Sequence, residues 1–228
     1  MFQLDRNTAS TSDNPIVVTV APPSRTPCLA LFGVVGQQVT VETRKDGTLL
    51  DTRTFSMRKR DTRTWSQYFW GGFTTAQIPS LVIYDLLPVS GAEITVTISG
   101  GTGPYALSAL VVGQAYYVGA VDYGAQDSAT NYSSMERTFD GDLPVSKMIR
   151  RRSVERGVNT IAVPKELVPQ VRKLRQRLNA KVAVYVGLDD LFEDDYFESV
   201  LKLGFYKQFD LNLDYPDQAT LQLEVEEI

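Results

Sequence analysis

Short apolar segments separated by turn residues fill the first half of the chain. The segments run over residues 16–20, 28–35, 38–43, 49–57, 64–70, 80–86, 94–99 and 107–112. Turn sequences lie between them, among them Lys45-Asp46-Gly47 and the glycine-rich stretch 100–104. Short β-branched runs at this spacing are typical of antiparallel sandwiches and barrels. The pattern predicts a β-sandwich domain over residues 1–113, with no helix before residue 164.

The last third of the chain, residues 147–228, follows another pattern. Residues 152–163 read as a strand, 164–179 as a helix, and 181–188, 201–213 and 220–228 as further strands. The helix has one apolar face at i, i+4, i+7 and i+11, formed by Leu167, Val171, Leu174 and Leu178. This predicts a small β-α-β-β-β domain with one amphipathic helix. The fold class is therefore mainly β, a β-sandwich joined to an α/β unit.

Residues 114–146 separate these two patterns. They contain few aliphatic side chains, many small polar residues and isolated tyrosines. A segment of this length is too long for an ordinary turn. The sequence predicts an extended connector arm that packs on a neighbouring molecule, with Tyr116, Tyr117, Tyr123 and Tyr132 as interface residues.

Composition narrows the classes of function. The chain has 228 residues, a net charge of −4, no histidine and a single cysteine, Cys28. An acidic chain is not expected to bind nucleic acid, and the absence of histidine excludes imidazole-dependent triads and metal sites. Without a nucleophile motif or a phosphate-binding loop, we expect neither enzymatic activity nor a cofactor. A glycan hydrolase that uses paired carboxylates is the remaining enzymatic hypothesis.

The N-terminal segment has no basic start followed by an apolar core, and no apolar run approaches the length that spans a bilayer. The sequence therefore predicts synthesis and folding in the cytoplasm and no membrane insertion.

Two charged clusters are candidate interface regions. One is basic and contains Lys147, Arg150, Arg151, Arg152 and Arg156. The other is an acidic run that contains Asp189, Asp190, Glu193, Asp194, Asp195 and Glu198. Complementary patches of this kind steer association between subunits. A solvated loop or a hard-cation site is the alternative for the acidic run, and a patch for nucleic acid or lipid is the alternative for the basic one.

The segment TWSQYFW, residues 64–70, is the best candidate for ligand contact. Aromatic faces stack on sugar rings and also anchor protein interfaces. If the segment is a strand, Trp65 and Phe69 point to one face and Tyr68 and Trp70 to the other. One pair would then lie in the core, and the other would form a glycan site or an interface.

An ordered series of segments resembles a family of tail proteins of tailed bacteriophages and prophages. The series is TWSQYFW (64–70), LVIYDLLP (81–88), AEITVTISG (92–100), ALVVGQ (109–114), VGAVDYGAQDSATNYS (118–133) and GFYKQFDLNLDYPDQATLQLEVE (204–226). Members of this family carry a carbohydrate-binding-like β module, a Tyr/Gly connector and a small α/β unit.

The resemblance implies a virion structural protein at the distal end of the tail, in the tail tip or baseplate. Such proteins assemble as several copies around the tail axis and contact tube, hub and fibre proteins. A glycan-recognising receptor-binding protein, or an adaptor for a fibre or tailspike, is the alternative that the resemblance leaves open.

Overall fold

The computed structural model describes residues 8–60, 64–70, 75–122, 124–140, 143–151, 153–187, 196–213 and 215–228. Its described part divides into two compact units, with the division between Tyr116 and Tyr117. The sequence places domain boundaries after residues 113 and 146. The first boundary therefore lies three residues from the observed division, and most of the predicted connector falls within the second unit.

The first unit consists of short strands and one short helix. They are β1 (Ser10–Ser12), β2 (Ile16–Val20), β3 (Cys28–Phe32), β4 (Gln38–Lys45), β5 (Thr48–Ser56), β6 (Arg58–Arg60), α1 (Trp65–Trp70), β7 (Thr75–Gln77), β8 (Leu81–Ile83), β9 (Glu93–Ser99), β10 (Tyr105–Leu107) and β11 (Ala109–Gly113). A four-stranded antiparallel sheet has the order β2-β9-β4-β5, and a three-stranded sheet has the order β11-β3-β8. β1 pairs with β10, and β6 with β7.

The two larger sheets of the first unit share one hydrophobic core, as the predicted sandwich requires. Leu31 and Leu81 of the three-stranded sheet and Val41 and Val96 of the four-stranded sheet belong to the same buried cluster. Strand β9 alternates buried and less buried residues, which is the period-2 pattern of a strand with one covered face. Between β4 and β5, Asp46 and Gly47 both have positive φ, as a two-residue type I′ hairpin turn demands. The predicted turn at this position is confirmed.

The second unit contains the predicted β-α-β-β-β order together with additional elements. They are β12 (Ala120–Val121), β13 (Gln126–Asn131), β14 (Ser134–Asp140), β15 (Leu143–Ile149), β16 (Ser153–Pro164), α2 (Val168–Leu178), β17 (Ala183–Val186), α3 (Phe197–Val200), β18 (Leu201–Asn212) and β19 (Gln218–Glu227). The main sheet has the order β12-β16-β19-β18-β17, and β13 also pairs with β16. The mainly-β fold class with an amphipathic helix is confirmed.

Helix α2 covers one face of this sheet. A 3₁₀ turn, Lys165–Leu167, precedes it, and Pro169 lies in its first turn, where a missing N–H costs little. Val171 is buried in a cluster with alternate residues of the two central strands. These partners include Ile161 and Val163 of β16 and Leu221 and Leu223 of β19. The cations of α2 lie on its exposed side, as predicted.

The predicted extended connector, residues 114–146, contains strands that pair within the second unit. β12 and β13 hydrogen-bond to β16, so they belong to the sheet of the second unit. All six residues of β13 are exposed, and none is a large apolar residue. A strand that buries neither face lacks the alternating pattern by which strands are recognised in a sequence, so the pairing of β13 with β16 could not be predicted from it.

Candidate functional site

The aromatic segment is a helix and not a strand. Helix α1, Trp65–Trp70, lies in the connection between the paired strands β6 and β7. The backbone N–H of Gln67 donates to the hydroxyl of Thr64 at 3.2 Å, and the backbone N–H of Thr64 donates to the Gln67 side-chain oxygen at 3.2 Å. This reciprocal pair is a capping box, which fixes a helix start at Thr64. The predicted strand over residues 64–70 is therefore wrong.

None of the four aromatic side chains of α1 enters a core. Trp65 is 79% exposed, Tyr68 47%, Phe69 65% and Trp70 88%. The expectation that one pair of these residues is buried is therefore also wrong, because it depended on a strand. We call residues Trp65–Trp70 the aromatic tip.

The rings of the aromatic tip contact one another. Trp65 and Phe69 are stacked, with ring centroids 5.9 Å apart, which follows from their i, i+4 spacing on a helix. Tyr68 meets both rings edge-on, at 5.1 Å from Phe69 and 6.2 Å from Trp65. Trp65, Tyr68 and Phe69 thus form one exposed aromatic cluster.

A second protrusion starts from the main sheet of the second unit. β13 pairs with β16 up to Asn131↔Ser153, and β14 pairs with β15 from Ser134↔Ile149 to Asp140↔Leu143. The four strands thus form one long antiparallel hairpin that starts in the sheet. In the described part of the chain, β14 and β15 hydrogen-bond only to each other. We call Ser134–Asp140 and Leu143–Ile149 the hairpin arm.

A side chain joins the two strands where the hairpin arm begins. The backbone N–H of Arg151 donates to the Ser133 hydroxyl at 2.9 Å, and that hydroxyl donates to the Arg151 carbonyl at 3.0 Å. Between the pairs Asn131↔Ser153 and Ser134↔Ile149, one strand has two intervening residues and the other has three. This unequal number interrupts the ladder in the manner of a bulge. The Ser133 hydroxyl replaces backbone bonds that the interruption removes.

The hairpin arm exposes two large apolar side chains that the sequence prediction missed. Met135 and Met148 are directly opposite each other across the two strands, and they are 53% and 59% exposed. Methionine adapts its shape readily and is common at binding surfaces. The signal available in the sequence was weak, since the two residues are separated by twelve others and only the hairpin register brings them together.

Some of the predicted interface residues are exposed, and others lie outside the described residues. Tyr116, Tyr117 and Tyr132 are exposed, as an interface role requires, and the Tyr116 hydroxyl donates to the Gln114 side chain at 3.0 Å. Tyr123, Arg152, Asp189, Asp190, Asp194 and Asp195 lie outside the described residues. The predicted pairing of the basic and acidic clusters therefore remains a prediction.

The basic cluster does not act as one patch. Arg150 and Arg151 are exposed beside the hairpin arm. Arg156 instead lies on the main sheet, where its guanidinium contacts Glu226 at 3.2 Å and Glu224 at 3.8 Å. Lys207 of β18 also pairs with Glu226. Arg156 is thus part of an ion-pair network on the sheet face opposite α2.

A buried lysine lies at the base of the long hairpin. The side chain of Lys202, from β18, is 2% exposed, and its Nζ lies 2.6 Å from Glu155 Oε2 and 2.9 Å from Asp127 Oδ1. Burial opposes the charge, but the hydrogen bonds to Glu155 and Asp127 outweigh it and raise the pKa of Lys202. Gly157 permits this arrangement, because a Cβ there would stand 3.3 Å from the Lys202 Cγ.

Cys28 behaves as a small partly buried apolar residue. Its thiol donates to the Tyr84 carbonyl at 3.6 Å, and burial raises its pKa, which disfavours the reactive thiolate. Within the described ranges, no three acidic or cysteine side chains are grouped as metal ligands.

The described helices include none that is both long and apolar enough to cross a membrane. Comparison of the chain with protein-family models, with curated proteins and with solved structures finds no match.

Proposed function

We propose that this protein is a non-enzymatic virion structural protein of the tail tip or baseplate of a tailed bacteriophage. In this role, several copies assemble around the tail axis at its distal end. They join the tail tube or hub to the receptor-binding fibres. The partners are other copies of the chain and neighbouring tube, hub and fibre proteins.

The observation that carries the proposal is the hairpin arm. An isolated two-stranded hairpin is at best marginally stable in water. Within the described residues, β14 and β15 pair with no further strand, and they expose Met135 and Met148. Its outer backbone edge offers hydrogen-bond donors and acceptors to a further strand. Such an arm is suited to β-augmentation with a neighbouring molecule.

The opposite edge of the main sheet supports the same role. β17 pairs with β18 only over Leu201–Gly204, so in the described structure Phe205–Asn212 has a strand partner on one side alone, which is β19. The sheet therefore offers strand edges at both of its ends. When identical subunits bind one another through two different edges, they form a closed ring if the rotation from each subunit to the next adds up to a full turn. The resemblance of the ordered sequence series to phage tail proteins supports placing such a ring in a tail.

Immunogold electron microscopy of purified virions, with serum against this chain, tests the placement. We expect gold at the distal end of the tail and peptides of the chain in the virion mass spectrum. Absence of both would refute the proposal. Gold on fibres or spikes would favour the receptor-adaptor role instead.

A double variant tests the role of the hairpin arm itself. Met135→Glu with Met148→Glu places charges on the exposed pair, so we expect the protein to be lost from particles while its thermal unfolding changes little. Leu49→Glu with Leu50→Glu is the matched control, because these leucines are also exposed but lie in the first unit. Normal incorporation of the methionine variant would exclude the Met135/Met148 face as an interface.

Glycan recognition is the second candidate function, and the exposure of Trp65, Tyr68 and Trp70 favours it. Trp70 has the most exposed ring of the three. If the protein is a receptor-binding or adaptor protein, Trp70→Ala leaves virion assembly intact and abolishes adsorption to the host. Lost assembly, with no glycan binding by either form, supports the structural role.

A further inference from the structure

The aromatic tip is a preorganised apolar surface. A six-residue helix is marginal in water by itself, yet this one is held by the Thr64–Gln67 capping box and by the stacking of Trp65 on Phe69. It contains no charged residue. An exposed aromatic cluster of this density is costly to leave in water and marks an interaction site.

The strand that leads into the tip is basic. Its three residues, Arg58, Lys59 and Arg60, form β6. We call Arg58–Arg60 the basic stem. Because β6 and β7 pair up to Arg60↔Thr75, the connection that holds the helix emerges at that end of the hairpin. The aromatic tip therefore follows the basic stem closely along the chain.

We propose that the aromatic tip is a peripheral membrane-binding element for a bilayer that contains anionic phospholipids. Tryptophan and tyrosine favour the interface between headgroups and acyl chains, and cations close behind them attract anionic headgroups. The contact is confined to one leaflet, so it amends the expectation of no membrane insertion without making the chain a spanning protein.

The shape of the tip favours a bilayer over a sugar. A sugar site needs ring faces open to the ligand and polar groups that bind its hydroxyls. Here Trp65 and Phe69 cover one face of each other, and the Thr64 and Gln67 side chains bond within the capping box. An exposed aromatic cluster whose polar neighbours bond internally instead suits the bilayer interface, which needs no specific polar partners.

The charge of the basic stem also argues against docking on a second copy at the groove beside α2. That groove is lined by Arg175, Gln176, Asn179, Tyr206 and Phe209. Its arginine repels the basic stem, whereas an anionic headgroup layer attracts it.

The chain provides a site-specific probe for the test. Trp65 and Trp70 are its only two tryptophans, so intrinsic tryptophan fluorescence reports on the aromatic tip alone. With vesicles of phosphatidylglycerol and phosphatidylcholine, we expect a blue shift of the emission and quenching by brominated acyl chains. With phosphatidylcholine alone, we expect weaker binding.

Variants separate the two contributions in a vesicle-sedimentation assay. We expect Trp65→Ala with Trp70→Ala to weaken binding at least tenfold, whereas Tyr116→Ala with Tyr117→Ala, at exposed aromatics elsewhere, leaves it unchanged. Arg58→Gln with Lys59→Gln removes two headgroup contacts, each worth about fivefold in affinity. Arg172→Gln with Lys173→Gln on α2 is the matched charge control and leaves binding unchanged.

Three results would overturn the proposal. One is a tryptophan emission spectrum that neither type of vesicle alters. This measurement uses the wild-type chain, so it does not depend on whether a variant folds. The second is a blue shift that grows with protein concentration in the absence of lipid, which would assign the tip to a second copy. The third is a shift produced by glycans and not by vesicles. The proposal does not depend on the virion role, because vesicle binding is measured on the isolated chain.

Discussion

The two units cover their sheets in different ways. In the first unit, two sheets pack face to face, and the side chains between them form an apolar cluster that includes Leu31, Val41 and Val96. In the second unit, α2 covers one face of a single sheet. Lys202 lies on that same face at Gly157 and pairs with Glu155 and Asp127. The sheets of the first unit are thus covered by apolar side chains of each other, whereas the covered face of the second unit is apolar in one part and ionic in another.

This difference indicates which substitutions should lower the folding stability of each unit. Where a sheet is covered by apolar side chains, truncating one of them lowers the stability of the protein in proportion to the cavity that is left. The ionic part depends on Lys202, because both carboxylates pair with the same ammonium group and removing it breaks both ion pairs. Substitutions of similar size should therefore act through different mechanisms in the two units.

The largest effect is expected in the apolar core of the first unit. Leu31 is completely buried in β3. We expect Leu31→Ala to lower the free energy of unfolding by about 2–5 kcal/mol, with faster amide hydrogen exchange in the strands around it. Chemical denaturation and hydrogen exchange measure the two effects. Leu49→Ala, at an exposed leucine, is the control, and equal losses in both variants would contradict the observed core.

A smaller effect is expected from the ionic cover of the second unit. Lys202→Met keeps the aliphatic stem over Gly157 but removes the charge from Glu155 and Asp127. Both carboxylates retain access to water, so we expect a loss of about 1–3 kcal/mol, less than for a fully buried pair. Lys207→Met, at an exposed ion pair on the same strand, should cost less than about 1 kcal/mol. The comparison fails if the two variants unfold at the same denaturant concentration.

The raised pKa of Lys202 determines how the effect of Lys202→Met on stability depends on pH. The folded-state pKa lies above the ordinary value of 10.5, so folding takes up protons in the alkaline range. The stabilisation is complete well below the ordinary pKa of 10.5 and is lost as the pH rises through the folded-state pKa. The stability difference between wild type and Lys202→Met should therefore be constant from pH 7 to about pH 10 and shrink above that range. A difference that disappears between pH 8 and pH 9 would contradict the raised pKa.

The apolar cover could be predicted from the sequence, whereas the ionic one could not. Strand β2 occupies the predicted residues, and β19 places Leu221, Leu223 and Val225 in the core as its alternation indicates. Alternation is a local property, so one strand is enough to reveal it. The contact of Lys202 with Asp127 and Glu155 joins residues up to 75 positions apart. The sequence around each of these residues contains no pattern that predicts the contact.

The candidate sites were predicted in part for the same reason. The aromatic residues of the tip were found because four of them occur within six positions, but their conformation was mistaken. Apolar content was read as a strand, although Thr64 and Gln67 carry the spacing of a capping box. Met135 and Met148 were missed because only the register of the hairpin arm brings them together.

The smallest predicted effect concerns the cap that distinguishes helix from strand in the aromatic tip. Thr64→Ala removes the acceptor for the Gln67 backbone N–H, a change that costs about 1 kcal/mol at a helix N-cap. Because a helix this short has little other support, we expect the Trp65–Phe69 stack to loosen while the cores of both units stay intact. The two indole N–H resonances in a nitrogen–proton correlation spectrum both come from the tip, so their movement towards random-coil positions measures the change. Ser66→Ala, at the neighbouring exposed hydroxyl, should leave both resonances in place. If Thr64→Ala also leaves them unmoved, the stacking of the rings holds the helix without the cap, and the tip owes its conformation to its aromatic spacing alone.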